Sequence, residues 1–156
     1  MEIISHKGLN FQKLYSQEKI ENIISTIAEG INSYYDSIKA EEGSLELVAV
    51  CLLKGGFMFF SDLVKKIKHP HYTEFLKVSS YKGTSSTGKI TLTEDPKPEW
   101  FSGRHVLIVE DMHDTGNTLK SIVSLIEEFK PKKIDIAVLV VRPDKPRQVD
   151  IKWKGL

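Results

Sequence analysis

The run Val106-Leu107-Ile108-Val109 ends on two adjacent acids, Glu110 and Asp111, and continues through Met112-His113 into Asp114-Thr115-Gly116-Asn117-Thr118. A β-branched apolar run followed by a small polar turn and then a helical pattern puts that turn beyond the C-terminal end of a buried strand, where open parallel sheets bind their ligands. Thr115, Gly116, Asn117 and Thr118 offer backbone N–H groups and hydroxyls at a helix start, a donor set suited to a phosphate. Carboxylates just upstream would repel that phosphate unless they face sugar hydroxyls or a hard cation such as Mg²⁺. A solvated turn would account for an isolated Asp-Thr-Gly, but it gives no reason for paired acids closing a buried strand.

For these residues to act together, a sheet must be built beneath them. Ile20, Ile24, Ile27, Ile31, Tyr34 and Ile38 recur at spacings of three and four, the period of an amphipathic helix, and Ser16 stands where its cap belongs. Residues 46–53 form a nearly continuous apolar run, as expected of a parallel strand covered on both faces, and Gly55-Gly56 ends it. A helix is expected over 57–67, with Phe57, Phe60, Leu63, Val64 and Ile67 on one side. An extended stretch follows over 74–81, then a small polar loop over 82–88 of the kind that serves as a lid, and a short strand over 89–93. A third core strand (105–109), a helix (117–129) and a fourth core strand (134–141) complete the pattern. This alternation predicts an α/β fold: a parallel sheet with right-handed crossovers and helices on both faces, in one domain spanning 1–156 with no repeat or linker.

The chain of 156 residues is 40% hydrophobic and 28% charged, ordinary for a globular domain that needs no staple. Lys and Arg number 22 against 21 for Asp and Glu, so net charge points to neither nucleic acid nor membrane. Cys51, the lone cysteine, lies inside the apolar run and reads as a buried, unreactive thiol in a reducing compartment. No basic-then-apolar leader and no apolar run of the ~20 residues that span a bilayer is present, and a cytoplasmic protein is expected. The five histidines show no metal-ligand spacing with Cys51.

From Val106 to Thr118 the sequence resembles the signature with which type I phosphoribosyltransferases bind phosphoribosyl diphosphate (PRPP). One departure is His113, where that family usually has an aliphatic residue. Leu53-Lys54-Gly55-Gly56 resembles the pyrophosphate loop, and Ser80-Tyr81 the lid pair, of the hypoxanthine-guanine phosphoribosyltransferase family; the resemblance runs from about Leu47 to Trp153. It implies Mg²⁺-dependent transfer of 5-phosphoribosyl from PRPP to N9 of a 6-oxopurine, hypoxanthine or guanine, giving the nucleoside monophosphate and pyrophosphate in purine salvage. The implied roles are Asp114 beside purine N7 as proton acceptor or electrostatic partner; Glu110 and Asp111 on the ribose and, mainly through ribose and water, on the metal; Lys54 and Gly55 on pyrophosphate, with Ser80 and Tyr81 closing over it; and Thr115, Gly116, Asn117 and Thr118 on the 5′-phosphate. In the family, the peptide bond before the first glycine of the pyrophosphate loop can be cis.

The cation for the purine 6-oxo group falls on Arg142 by ungapped spacing, or on Lys145 in Asp144-Lys145-Pro146 if the register shifts. An arginine there keeps the charge but changes its reach and fork geometry. Tyr81 reads as lid or as core aromatic, and Trp153 as a base-stacking or an edge-of-core residue. The chain stops at Leu156, before or within the family's C-terminal hood, so the expected domain lacks that hood, as a fragment or as a natural short form. Family members are homo-oligomers, dimers or tetramers, and the same is expected here. Two alternatives to the salvage enzyme are a non-catalytic PRPP-binding regulator and a phosphoribosyltransferase that prefers xanthine.

Overall fold

The computed structural model describes residues 3–79, 91–93 and 95–156. The chain forms a hairpin, β1 (Ile3–His6) and β2 (Leu9–Gln12), then helix α1 (Gln17–Glu42), strand β3 (Leu47–Leu53), helix α2 (Phe57–Val64), strands β4 (His71–Ser79) and β5 (Thr91–Leu92), a single turn α3 (Pro98–Phe101), strand β6 (His105–His113), helix α4 (Asn117–Glu127), strand β7 (Lys133–Val141) and strand β8 (Trp153–Lys154). One sheet takes six of these strands in the order β5-β4-β3-β6-β7-β8. Five run parallel; β5 is antiparallel to β4.

Strand β3 explains the layering. Its side chains alternate: Leu47, Ala49 and Cys51 pack with Ile24, Ile27, Ile31 and Tyr35 of α1 and with Phe59, Phe60 and Leu63 of α2. Val48, Val50 and Leu52 face the opposite side, with Leu119, Ile122 and Ile126 of α4 and Phe101 of α3. Both faces are covered, which is why the run is apolar at every position rather than at alternate ones. On α1, Ser16 accepts the Lys19 N–H at 3.2 Å, and Gly43, at φ 74°, takes the left-handed turn that ends the helix.

The α2 helix stops at Val64, not at 67 as its apolar spacing suggests. Asn32 of α1 accepts the Lys68 N–H at 2.8 Å and donates to the Lys66 carbonyl at 2.9 Å, taking over backbone groups that a longer helix would use itself. Conversely, β6 continues four residues beyond 109, because β7 lies alongside and pairs Glu110 with Val138, Met112 with Val140 and His113 with Val141. The β1–β2 hairpin has a two-residue loop, Lys7-Gly8, with both φ angles positive (50° and 76°), the twist that suits tight hairpins.

At the other end of the chain, β8 pairs parallel to β7, Ala137 with Trp153. The Trp153 ring meets Tyr34 edge-on at 5.6 Å and Tyr35 at 6.2 Å, and its Nε1 sits 3.0 Å from where a Cβ on Gly30 would stand. Of its two readings, packing against α1 is the one the fold adopts. Among the described residues no helix is long and apolar enough to cross a membrane.

Cys51 is fully buried, and its thiol is pushed up to about 12, first by burial and then by the carboxylates of Glu110 and Asp111. In the native protein at mildly alkaline pH, Cys51 is expected to resist a thiol-reactive disulfide reagent, and to titrate as one thiol per chain once denaturant is added. Rapid native reaction would show that β3 is not the closed central strand described.

Candidate active site

Pairing of β3 with β6 runs from Leu47 opposite His105 to Cys51 opposite Val109 and then stops, while β6 goes on beside β7. From β3 the chain turns into α2 on one face and on to β4; from β6 it turns into α4 on the other face and on to β7. The two connections diverge, so a crevice opens between the carboxyl ends of β3 and β6, the position at which doubly wound sheets receive ligands. Both segments singled out from the sequence, 53–56 and 110–118, follow these two strands.

The two segments touch. A Cβ on Gly55 would stand 2.8 and 2.9 Å from the Asp111 carboxylate oxygens, and one on Gly56 would stand 2.7 Å from the Leu52 carbonyl oxygen and 3.6 Å from Glu110 Oε1. A Cβ at 56 would press on backbone, whereas one at 55 would meet only the movable end of the Asp111 side chain. The peptide bond Leu53–Lys54 is cis; the resemblance anticipated a cis bond one residue later, before Gly55. Lys54 is exposed at the mouth of the crevice.

Glu110 and Asp111 are half-buried, and Glu110 Oε1 accepts the Asp111 N–H at 3.1 Å. Burial first, and the neighbouring Asp111 carboxylate second, push the Glu110 carboxyl up to about 8. Such a pair suits ligands that bring hydroxyl donors or a hard cation. No cluster of three or more His, Cys, Asp or Glu side chains able to hold a metal occurs among the described residues. A divalent ion here would therefore rest on these two acids together with oxygens of a bound ligand.

Beyond β6, Gly116 (φ 78°) is the N-cap of α4 and provides no side-chain cap, and its carbonyl accepts the first helical bond, from Lys120 N at 2.9 Å. The N–H groups of Asn117, Thr118 and Leu119 belong to the first turn, where the helix has no carbonyl for them. Thr115 and Asn117 are exposed and Thr118 half-buried. Gln148, which the sequence did not single out, straps this loop: its Nε2 donates to the Thr115 carbonyl at 3.0 Å and to Asn117 Oδ1 at 2.6 Å. A lone glutamine in the Pro-rich turn carries no signal of its own.

Asp114 is exposed and meets Arg142 at the end of β7, where Nη1 donates to Asp114 Oδ1 at 3.2 Å. The same guanidinium is forked onto Asp144 through Nε at 3.1 Å and Nη2 at 2.8 Å. Arg142 is thus the cation brought to Asp114. Lys145 is half-buried in the following turn, its N–H 3.5 Å from the Arg142 carbonyl. Met112, exposed at 52%, adds a thioether beside the acids that spacing alone did not indicate. Ser80 and Tyr81, the expected lid pair, lie outside the described residues.

A sheet of this order with a Gly-Gly loop, paired acids and a strand-turn-helix segment at its switch point defines a doubly wound α/β domain, and residues 11–156 match the family model of the phosphoribosyl transferase domain. The chain belongs to the phosphoribosyltransferase family. Within it, the hypoxanthine-guanine phosphoribosyltransferase of Staphylococcus epidermidis is 37% identical over 150 residues, 96% of this chain and 78% of that protein. The human hypoxanthine-guanine phosphoribosyltransferase is 36% identical over 124 residues, which cover 74% of this chain and 56% of its own length, so the chain spans little more than half of that relative. Among solved structures, a hypoxanthine phosphoribosyltransferase from Staphylococcus aureus superposes with a TM-score of 0.79 at 33% identity, over 92% of this chain and 75% of that one.

The two glycines of the β3 loop should separate in their effects. Gly56→Ala drives a methyl against the backbone carbonyl of Leu52 and is expected to destabilise the fold by about 1–3 kcal/mol in urea unfolding. Gly55→Ala meets only the rotatable end of Asp111, and its unfolding midpoint is expected to shift much less. Equal shifts would contradict the placement of the two loops.

Proposed function

We propose that this chain carries out Mg²⁺-dependent transfer of the 5-phosphoribosyl group of PRPP to N9 of a 6-oxopurine, hypoxanthine or guanine, releasing pyrophosphate. The observation that carries this reading is the convergence of the Gly55-Gly56 loop, the Glu110-Asp111 pair and the α4 start on one crevice. The similarity to hypoxanthine-guanine phosphoribosyltransferases supports the same chemistry.

The bond from the anomeric carbon to pyrophosphate breaks, leaving positive charge on the ribose and negative charge on the leaving group, while purine N9 forms the new bond. Groups that bind these charges more tightly in the transition state speed the step. In this reading Glu110 and Asp111 accept hydrogen bonds from the ribose hydroxyls, and lie near enough to the developing cation to favour it. Lys54 and the backbone at Gly55 hold pyrophosphate, and Thr115, Gly116, Asn117 and Thr118 hold the 5′-phosphate. Mg²⁺, when bound, neutralises the leaving group. Ser80 and Tyr81 close over the pyrophosphate and exclude water. Arg142, already oriented by Asp144, presents its donors to the purine 6-oxo group, Met112 flanks the ring, and Asp114 faces N7, where it takes or steadies the proton. A homo-oligomer and a cytoplasmic location complete the proposal.

A spectrophotometric assay of the purified protein with PRPP and Mg²⁺ tests this against hypoxanthine, guanine and xanthine in turn. Turnover with hypoxanthine or guanine is expected. Turnover with xanthine alone would change the acceptor, and calorimetric PRPP binding without turnover on any base would favour a regulator. Asp114→Asn is expected to lower kcat by about a hundredfold or more, the scale of general acid–base assistance, with little change in KM for PRPP. An unchanged kcat would remove Asp114 from its role.

A further inference from the structure

His113 closes β6 with a ring that is 1% exposed, and neither Nδ1 nor Nε2 has a hydrogen-bond partner among the described residues. Its backbone is fully engaged: it pairs with Val141 of β7, and its carbonyl accepts the Arg142 N–H at 3.1 Å. Nε2 stands 2.6 Å from the position a Cβ would take on Gly116, with Cε1 at 3.3 Å, so the imidazole lies directly against the buried residue that caps α4. An imidazole always carries at least one N–H, and a buried donor without an acceptor lowers stability, which is why such groups are rare and call for a reason. Here the orphaned ring adjoins the start of α4, whose glycine cap contributes no side chain and whose first-turn N–H groups form a donor set suited to an anion.

We propose that His113 is a positioning residue for the 5′-phosphate: its ring supports Gly116 from beneath, and a phosphate seated on the α4 loop supplies, through its bound water, the acceptor that the ring N–H lacks among the described residues. The inference rests on the reading that this loop takes a phosphate. It differs from a packing role in the sign of its effects. An apolar replacement relieves a buried unpaired polar group, and so stabilises the free protein, while it removes a donor from the phosphate site. Pyrophosphate, bound at the Lys54–Gly55 loop on the other side of the crevice, is unaffected.

Ribose 5-phosphate and Mg²⁺-pyrophosphate are the probes, titrated by calorimetry into wild type, His113→Leu, His113→Met and His113→Gln, with thermal unfolding of each ligand-free protein. The two apolar variants are expected to unfold at a higher temperature than wild type and yet to bind ribose 5-phosphate about tenfold more weakly, the loss of one hydrogen bond in a charged network, with pyrophosphate affinity unchanged. His113→Gln, which keeps an N–H donor, is expected to recover most of that affinity. His113→Met repeats the test with an unbranched side chain should leucine not be accommodated. Ribose 5-phosphate affinity equal to wild type in the apolar variants would overturn the proposal. So would a lower unfolding temperature together with parallel loss of both probes, which would mark His113 as a packing residue. Wild type that binds pyrophosphate but no ribose 5-phosphate would overturn the phosphate assignment of the loop itself, and this inference with it.

Discussion

Strands β3 and β6 lie side by side at the centre of the sheet, covered on both faces, and their connections must leave in opposite directions because α2 and α4 occupy opposite layers. The crevice between their carboxyl ends follows from that geometry. So does the need for glycine at 56, where a Cβ would press on the Leu52 and Val109 carbonyls, and the close approach of Gly55 to the Asp111 carboxylate carried on β6. The apolar alternation that fixes the two cores therefore also fixes the distance between the two halves of the site.

Placing two carboxylates at the end of a buried strand has a cost that the fold does not hide. Glu110 is pushed well above the ordinary carboxylate range by burial and by Asp111. Packing alone would favour an amide or an apolar residue at such a position. The acids are intelligible as groups whose partners arrive with a ligand, in keeping with the proposed ribose and metal contacts. The same logic applies one turn further on, where the α4 start is left without a side-chain cap. Free-state stability is set aside along this edge of the sheet, and the rest of the molecule, with its two continuous cores, makes up the difference.

Much of this was legible in the sequence. The runs at 46–53, 105–109 and 134–141 are apolar at nearly every position and bounded by Gly and Pro, a pattern that only a doubly covered strand requires, and the acids and small residues after 109 carry a recognisable order. The β1–β2 hairpin leaves no such trace: Ile4, Leu9 and Phe11 all remain exposed, so its short strands lack the periodicity that burial imposes. The end of α2 was misplaced because Asn32, some thirty residues upstream, competes for its backbone. Gln148 and the Arg142–Asp114 contact were out of reach for the same reason, since both depend on which loops the sheet order brings together. Spacing leaves Arg142 and Lys145 both open, and the contacts of Arg142 with Asp114 and Asp144 depend on a turn whose shape the sequence does not state.

In the proposed function, the Arg142–Asp114 ion pair would make base recognition an exchange rather than a simple addition. On that reading a purine engaging the guanidinium through Nη1 and facing Asp114 would compete with a contact of 3.2 Å, while Asp144 keeps its own two-point grip on Nε and Nη2. Both partners are about half exposed, so the contact given up is weak and screened by salt. In that reading the pair would serve as a placeholder, keeping the cation and the carboxylate in register before the base arrives and yielding at little thermodynamic expense. Ionic strength would then bear on the empty site more than on the filled one, in which the flat ring displaces the water that does the screening.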